Sequence, residues 1–182
     1  GDYNISISGK CEYFDTGADL YTETYPELVK KIIKIVSWGA VETVEYEFGY
    51  AENLVEIAEP TKKTFIRCDD DSFAYLFSGC KNLEVIPSSL FRYVNENTTS
   101  FEGTFTACEK LTSIPEELFE NAPNATNFEK TFYECHNLTN GPKISERENA
   151  SQISGTPTPS TYAYCENFNK TGLSNSIINK FF

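Results

Sequence analysis

The chain has 182 residues, of which 40% are hydrophobic and 14% aromatic, so it can bury the core of one domain or of one short repeat array. Its formal net charge of −12 argues against binding to nucleic acid or to an anionic membrane surface, because both need clustered Lys and Arg. No apolar run reaches the roughly 18 residues of a membrane span. The chain has no Met and begins at Gly1, so we expect a processed or excised product whose export signal would already be gone.

The first 40 residues are predicted to cap the structure at its N-terminal end. Apolar and polar residues alternate loosely over 3–14, which predicts an edge or capping strand, and the polar stretch 15–25 predicts a loop. Segment 26–38 has helical spacing at its start but is dense in β-branched residues over 32–36. We therefore expect a short helical turn that leads into a strand.

Residues 41–170 contain one pattern written several times. Two copies carry the same eleven-residue core at fixed steps: Phe77, Cys80, Leu83, Ile86 and Pro87, then Phe105, Cys108, Leu111, Ile114 and Pro115. A third copy has Phe132, Cys135 and Leu138, and weaker copies lie on either side. The residues at the Leu position are spaced by 29, 28, 27 and 30: Leu54, Leu83, Leu111, Leu138 and Phe168. Periods of this size indicate a solenoid or array.

The internal spacing of one copy predicts its local structure. Apolar steps of four and three residues predict a two-turn helix over 101–108. The β-branched stretch 111–114 is too short for a helix and predicts a strand. Pro115 favours the first turn of a second helix, where its missing N–H costs nothing, and Ser113 with Glu116 fits a capping box. One unit cannot bury its own apolar face, so the units must stack.

The shared core reads Phe-x-x-Cys-x-x-Leu-x-x-Ile-Pro at 77–87 and again at 105–115. It resembles the BspA-like leucine-rich repeats of bacterial surface proteins, and the resemblance covers about residues 38–168. It implies an α/β leucine-rich-repeat solenoid of about five rungs of 27–30 residues, with short parallel strands and short helices. It also implies an exported, often lipid-anchored lipoprotein that acts in adhesion. Two departures, Ala51 in place of Cys and Gly141 in place of Ile, suit irregular rungs near the ends of the array.

Three further segments interrupt or end the repeats. Three carboxylates at 69–71 precede Ser72, and we read them as charge matching and an N-cap at a helix start, since the spacing of an EF-hand is absent. Residues 143–160 are rich in Ser, Thr and Pro and predict a loop inserted into the last unit. Residues 171–182 end in apolar side chains that should cover the final rung.

The chain has six Cys, of which four recur at one position of successive rungs: Cys80, Cys108, Cys135 and Cys165. Their side chains should point inward in parallel, at least about 4.8 Å apart, which is too far for disulfide bonds. Zinc ligands converge on a point and a ladder does not, so we expect no metal here. The four are predicted to be small buried hydrophobes. Cys11 and Cys68 lie outside the ladder, and their pairing stays open.

No catalytic constellation or cofactor motif stands out. The single histidine, His136, follows Cys135 in a variable slot, where exposure explains it better than a Cys–His nucleophile pair. Glycine-rich phosphate loops are absent, and no two carboxylates are marked as sharing a cleft. Six Asn-x-Ser/Thr sequons are read as turn chemistry rather than glycan sites: Asn4, Asn97, Asn124, Asn137, Asn149 and Asn169. We expect a protein without enzyme activity, metal or cofactor.

What remains is a surface on the strand side of the stack, where variable positions align in columns. The candidate binding residues are Lys81, Asn82, Glu84, Glu109, Lys110, Thr112, His136, Asn137 and Thr139. These columns are polar and lack an aromatic ladder for stacking sugars. The sequence therefore favours a non-catalytic adhesion module that binds a protein or glycan on a host or neighbouring cell. A glycan-binding or glycan-utilisation accessory protein of the envelope and a structural spacer remain alternatives. We expect a bacterial cell-surface or secreted protein, anchored through a segment before residue 1.

Overall fold

The computed structural model describes residues 10–11, 27, 29–38, 40–41, 48–62, 64–65, 73–142, 144 and 160–182. Its regular elements are four short strands, one 3₁₀ helix and one α-helix: β1 Lys10–Cys11, 3₁₀ helix Val29–Lys31, β2 Lys34–Ile35, β3 Ala40–Val41, β4 Glu56–Ile57 and α1 Asn175–Phe181. Strand β1 pairs with β3 and β2 pairs with β4, both parallel. The helical turn followed by a strand that the sequence predicts within 26–38 is thus observed. The acidic segment 69–72 and most of the inserted loop 143–160 lie outside the described residues.

The repeats stack as rungs, which we number 1 to 5 by the residue at the Leu position: Leu54, Leu83, Leu111, Leu138 and Phe168. Parallel bridges join Glu56 to Val85 and Ser113 to Asn140 at equivalent positions of successive rungs. Backbone hydrogen bonds continue the pairing, with Lys110 N–H donating to the Lys81 carbonyl at 3.1 Å. This stack of parallel strand pairings over buried leucines is a fold of the leucine-rich-repeat type.

The core consists of aromatic columns that run through the stack. Phe77, Phe105 and Phe132 are fully buried and nearly parallel, with ring centroids 5.6 and 5.7 Å apart. Phe73, Phe101 and Phe128 form a second column with spacings of 5.4 and 5.8 Å. The Leu residues at the marker position of rungs 1 to 4 have no exposed surface. The predicted register of the Phe and Leu positions is therefore confirmed.

The helix predicted over 101–108 is wrong, because consecutive tight turns replace it. Gly103 and Ala107 both have left-handed φ angles, 59° and 55°, and a right-handed helix cannot continue through them. Alternate N–H groups also point to the next rung: Gly103 donates to the Glu129 carbonyl at 2.8 Å and Ala107 to the Tyr133 carbonyl at 2.7 Å. These backbone N–H groups therefore form hydrogen bonds between neighbouring rungs instead of hydrogen bonds within a helix.

The second helix of the unit is also replaced by turns. The Leu118 N–H donates to the Pro115 carbonyl at 3.2 Å and the Ala122 N–H to the Phe119 carbonyl at 3.1 Å, both in the i to i+3 pattern of isolated turns. Ser113 is engaged in a strand bridge and does not cap a helix. The second helix predicted from Pro115 is therefore also wrong.

The four ladder cysteines are buried free thiols, as predicted. Each Sγ donates to a backbone carbonyl of the preceding rung, for example Cys108 to Phe77 at 3.3 Å and Cys135 to Phe105 at 3.2 Å. Burial raises the pKa of the Cys165 thiol to about 12 and that of Cys108 well above its usual range. Cys68 and the side chain of Cys11 lie outside the described residues, so their pairing stays open.

The C-terminal segment takes the place of a sixth rung. Helix α1 begins after Ser174, whose hydroxyl accepts a hydrogen bond from the Ile177 N–H at 3.4 Å. The Phe181 carbonyl then accepts from the Tyr162 N–H at 2.7 Å, and the Phe182 ring stacks on Tyr162 with centroids 5.1 Å apart. Both contacts repeat those made between rungs. Within the described residues, no helix is long and apolar enough to cross a membrane.

Candidate binding surface

The strand face consists of the two positions between the buried Leu and Ile of each rung. In rung 2, Leu83 and Ile86 are buried, whereas Glu84 and Val85 between them are exposed. Thr112 and Ser113 occupy these positions in rung 3, and Thr139 and Asn140 occupy them in rung 4. Stacking therefore aligns short exposed pairs side by side, as the sequence predicts.

Ion pairs join neighbouring rungs along this face. Lys81 Nζ lies 3.5 Å from Glu109 Oε1, and Lys110 Nζ lies 3.9 Å from Glu84 Oε1, so four of the candidate residues form two contacts between rungs 2 and 3. A third pair, Lys34 with Glu56 at 2.6 Å, joins β2 to β4. Exposed pairs of this kind contribute only about 0–1 kcal/mol each. Their main effect is to order the side chains and to balance charge on this face.

Asparagines beside the strand face connect the rungs, a role that the sequence analysis missed. Asn137 Nδ2 donates to the Glu109 carbonyl at 2.8 Å, and Asn167 Nδ2 donates to the His136 carbonyl at 2.9 Å. Asn53 makes the same contact to the Lys30 carbonyl at 2.7 Å. The recurrence of Asn just before the Leu position could have indicated this role. Asn82 instead lies 3.5 Å from the Asn53 amide oxygen.

Thr139 and His136 are also engaged with neighbouring rungs. The Thr139 hydroxyl donates to the Thr112 carbonyl at 2.8 Å. Nδ1 of His136 lies 2.9 Å from Oε2 of Glu166 and 3.0 Å from the Tyr164 carbonyl oxygen. The hydrogen bond with Glu166 raises the pKa of His136 and lowers that of Glu166. Because the Cys135 thiol points into the core, His136 and Cys135 do not form a nucleophile pair.

The strand face is less polar than predicted. Val85 is 64% exposed and Ile33, at the start of the same face, is 47% exposed, while Val36 after β2 is also exposed. The sequence analysis described the columns as polar, and that description is wrong at Val85. The exposure of Val85 could have been predicted from its position between Leu83 and Ile86, since that position is exposed in every full repeat.

No known protein-family profile matches this chain. No curated protein matches it either. Among solved structures, the chain is similar to a leucine-rich cell surface protein of Faecalibacterium prausnitzii, at 18% identity and a TM-score of 0.45, over 82% of this chain and 34% of that one. It is also similar to a leucine-rich repeat protein of Bacteroides ovatus, at 21% identity and a TM-score of 0.26, over 62% of this chain and 37% of that one. The chain thus spans about a third of the length of these proteins.

Proposed function

We propose that the chain is a non-catalytic binding module of a bacterial cell surface, which recognises a protein partner through the strand face. The observation that carries this proposal is the exposed Val85 within an ordered row of side chains that spans rungs 2 to 4. Stacked repeats fix such a row at little further entropic cost, because the backbone beneath it is already paired. A preorganised surface of this kind favours binding.

Two features of the strand face favour a protein as the partner. Exposed aliphatic side chains such as Val85 and Ile33 gain free energy when a protein surface removes them from water. The charged residues around them are paired across rungs, as Lys81 is with Glu109, so this face presents little net charge although the whole chain carries −12. Exposed aliphatic side chains among polar, paired residues are typical of protein interfaces.

The environment of the candidate reactive groups supports a role without catalysis. The thiols of Cys108 and Cys135 are buried, donate to backbone carbonyls, and have a raised pKa, so they are poor nucleophiles. Nδ1 of His136 contacts Glu166 and the Tyr164 carbonyl, and the neighbouring Cys135 thiol points into the core, so the two side chains do not pair. The resemblance of the repeat core to BspA-like surface proteins supports the proposed place at the cell surface.

The proposal is tested by capture on an array of extracellular-matrix and serum proteins. The wild-type chain should bind at least one protein, and Val85→Asp should weaken that binding about tenfold or more, since it replaces an exposed aliphatic side chain of the strand face with a charge. Asn121→Asp is the matched control, because it adds the same carboxylate to an exposed turn away from the strand face. It should leave binding unchanged.

Two results would contradict the proposed function. One is the absence of any captured protein, which is the outcome expected of a structural spacer. The other is equal binding by Val85→Asp and wild type, which would place the interface elsewhere. Thermal melts of both variants should match the wild type within a few degrees, since both positions are exposed.

A further inference from the structure

A second surface, separate from the strand face, lies on the turns just before the ladder position. That position is held by Ala51 in rung 1 and by the four ladder cysteines in rungs 2 to 5. The residue before that position has a left-handed φ angle in all five rungs: Tyr50, Gly79, Ala107, Glu134 and Tyr164. We call this row the turn row. Its last member, Tyr164, is 59% exposed, whereas every other aromatic residue in the described part of the chain is buried or half-buried.

Stacking explains why the other tyrosines near the turn row are covered and Tyr164 is not. The Tyr50 ring lies against Gly79 of the next rung, where an added Cβ would come within 2.9 Å of it. The Tyr75 ring lies against Gly103 in the same way and leaves no room for such a Cβ. Tyr164 belongs to the last rung, and the C-terminal cap places Phe182 on Tyr162 instead. Its ring therefore remains on the surface.

The exposed ring of Tyr164 is held in place. The ring of Tyr133 packs edge-on against it, with centroids 5.1 Å apart and planes at 77°. His136 Nδ1 contacts the Tyr164 carbonyl at 3.0 Å. The φ angle of Tyr164 is 60°, a conformation that glycine adopts without the steric cost that other residues carry. The left-handed turn itself does not require a tyrosine, since equivalent rungs have Gly79 or Ala107 at this position.

We propose that Tyr164 and Tyr133 form a platform for a neutral glycan, with one sugar ring stacked on Tyr164. A rigid aromatic ring supplies contact area at low entropic cost, and polar groups at its edge fix the orientation of the ligand. Those groups are His136 and Glu166, which lie 2.9 Å from each other beside the Tyr164 carbonyl, together with Glu134 next to Tyr133.

The charges around the platform select against acidic sugars. Two carboxylates lie near the platform: Glu134 follows Tyr133 and acts electrostatically on it, and Glu166 contacts His136 near the Tyr164 carbonyl. The chain as a whole carries −12. Anionic polysaccharides would therefore be repelled, whereas the hydroxyl groups of a neutral sugar can donate hydrogen bonds to the carboxylate oxygens. The strand face, with its exposed aliphatic Val85, lacks this combination, so the two surfaces suit different ligands.

The test is affinity electrophoresis of the full chain through gels that contain one neutral polysaccharide each, namely a β-glucan, a xylan, a mannan or starch. At least one gel should retard the wild-type chain. Tyr164→Gly should lower the affinity about tenfold or more, because it removes the ring. The same variant should melt within a few degrees of the wild-type temperature, because the left-handed φ, which suits glycine, offsets the lost ring contact with Tyr133. Tyr164→Phe keeps the ring and should keep most of the binding.

Several outcomes would overturn this inference. They are the absence of retardation in every neutral gel, equal retardation of Tyr164→Gly and wild type, and retardation by anionic polysaccharides alone. Val85→Asp is the control for the other surface and should bind the polysaccharide as the wild type does. If Val85→Asp loses the polysaccharide and Tyr164→Gly keeps it, the glycan binds the strand face. The protein-capture experiment is independent, so either proposal can fail alone.

Discussion

Replacing Phe105 with Ala should destabilise the protein more than a change at any exposed position. The Phe105 side chain has no exposed surface and lies between two parallel rings, Phe77 at 5.6 Å and Phe132 at 5.7 Å. It also contacts Phe91, with ring centroids 6.3 Å apart. The substitution therefore opens a cavity in the middle of the aromatic column.

The expected cost of Phe105→Ala is about 3–5 kcal/mol of unfolding free energy. Loss of two stacked aromatic contacts, each adding about 0.5–1.5 kcal/mol beyond area burial, favours the upper part of that range. A domain of this size has only about 5–15 kcal/mol in total. Urea melts followed by circular dichroism should therefore show a much lower midpoint, or a variant that is largely unfolded without denaturant.

Thr112→Ala is the matched control, because Thr112 belongs to the same rung and is exposed on the strand face. Its midpoint should correspond to a change within about 0.5 kcal/mol. A silent Phe105→Ala together with a damaging Thr112→Ala would refute the register of the stack, since inward and outward positions would then be exchanged.

Three other variants or measurements examine separate parts of the structure. Ala107→Gly should raise the unfolding free energy by about 0.5–1 kcal/mol in urea melts, because φ at this position is 55° and glycine adopts it without strain; a loss of stability would contradict the left-handed assignment. The His136–Glu166 contact raises the pKa of the histidine from 6.5 and lowers that of the carboxyl from 4.5. The stability that the contact adds through the charged histidine is fully present below pH 6.5 and is lost as the pH rises through the raised pKa. The stability that it adds through the ionised carboxyl is present above pH 4.5 and is lost as the pH falls through the lowered pKa. The stability difference between wild type and Glu166→Gln should thus be largest between these pH values and fade towards pH 9, and a difference that grows towards pH 9 would refute the contact. Thiol labelling mapped by mass spectrometry should modify the ladder cysteines only after unfolding, and rapid labelling of the native protein would place them outside the core: Cys80, Cys108, Cys135 and Cys165.

The register of the core could be predicted because several coupled positions recur. Once Phe105, Cys108 and Leu111 are aligned with their counterparts one period away, stacking alone dictates which side chains meet. The Cys ladder was predictable for the same reason, since equivalent positions in a stack point the same way. Neither prediction required any knowledge of the local backbone.

The backbone between those positions could not be predicted from spacing. Apolar steps of four and three residues suit a helix, but they also suit a run of turns in which every second N–H bonds to the next rung. Left-handed φ angles decide between the two, and they fall on Tyr75, Lys130 and Glu134, which give no glycine signal. Only Gly79 and Gly103 could have suggested the turns.

The exposure of the strand-face positions was predicted, but the contacts that neighbouring side chains make were not. The exposed slots of rungs 2 to 4 lie on the strand face as expected, while Asn137 and Thr139 use their side chains for contacts between rungs. Exposure of Tyr164 depends on its place in the last rung, since Tyr50 at the equivalent position is covered by its neighbour. Sequence alone does not say which rung is left uncovered.

Hydrogen–deuterium exchange of the chain with and without its captured protein partner tests the central claim most directly. Binding through the strand face should slow exchange in the peptides that cover 81–87, 109–115 and 136–142, which carry the exposed slots of rungs 2 to 4. Exchange should stay unchanged in residues 116–124, which form the turns that follow the strand-face positions of rung 3. Slower exchange confined to 116–124, or no difference along the strand face of a saturated complex, would contradict the proposed interface.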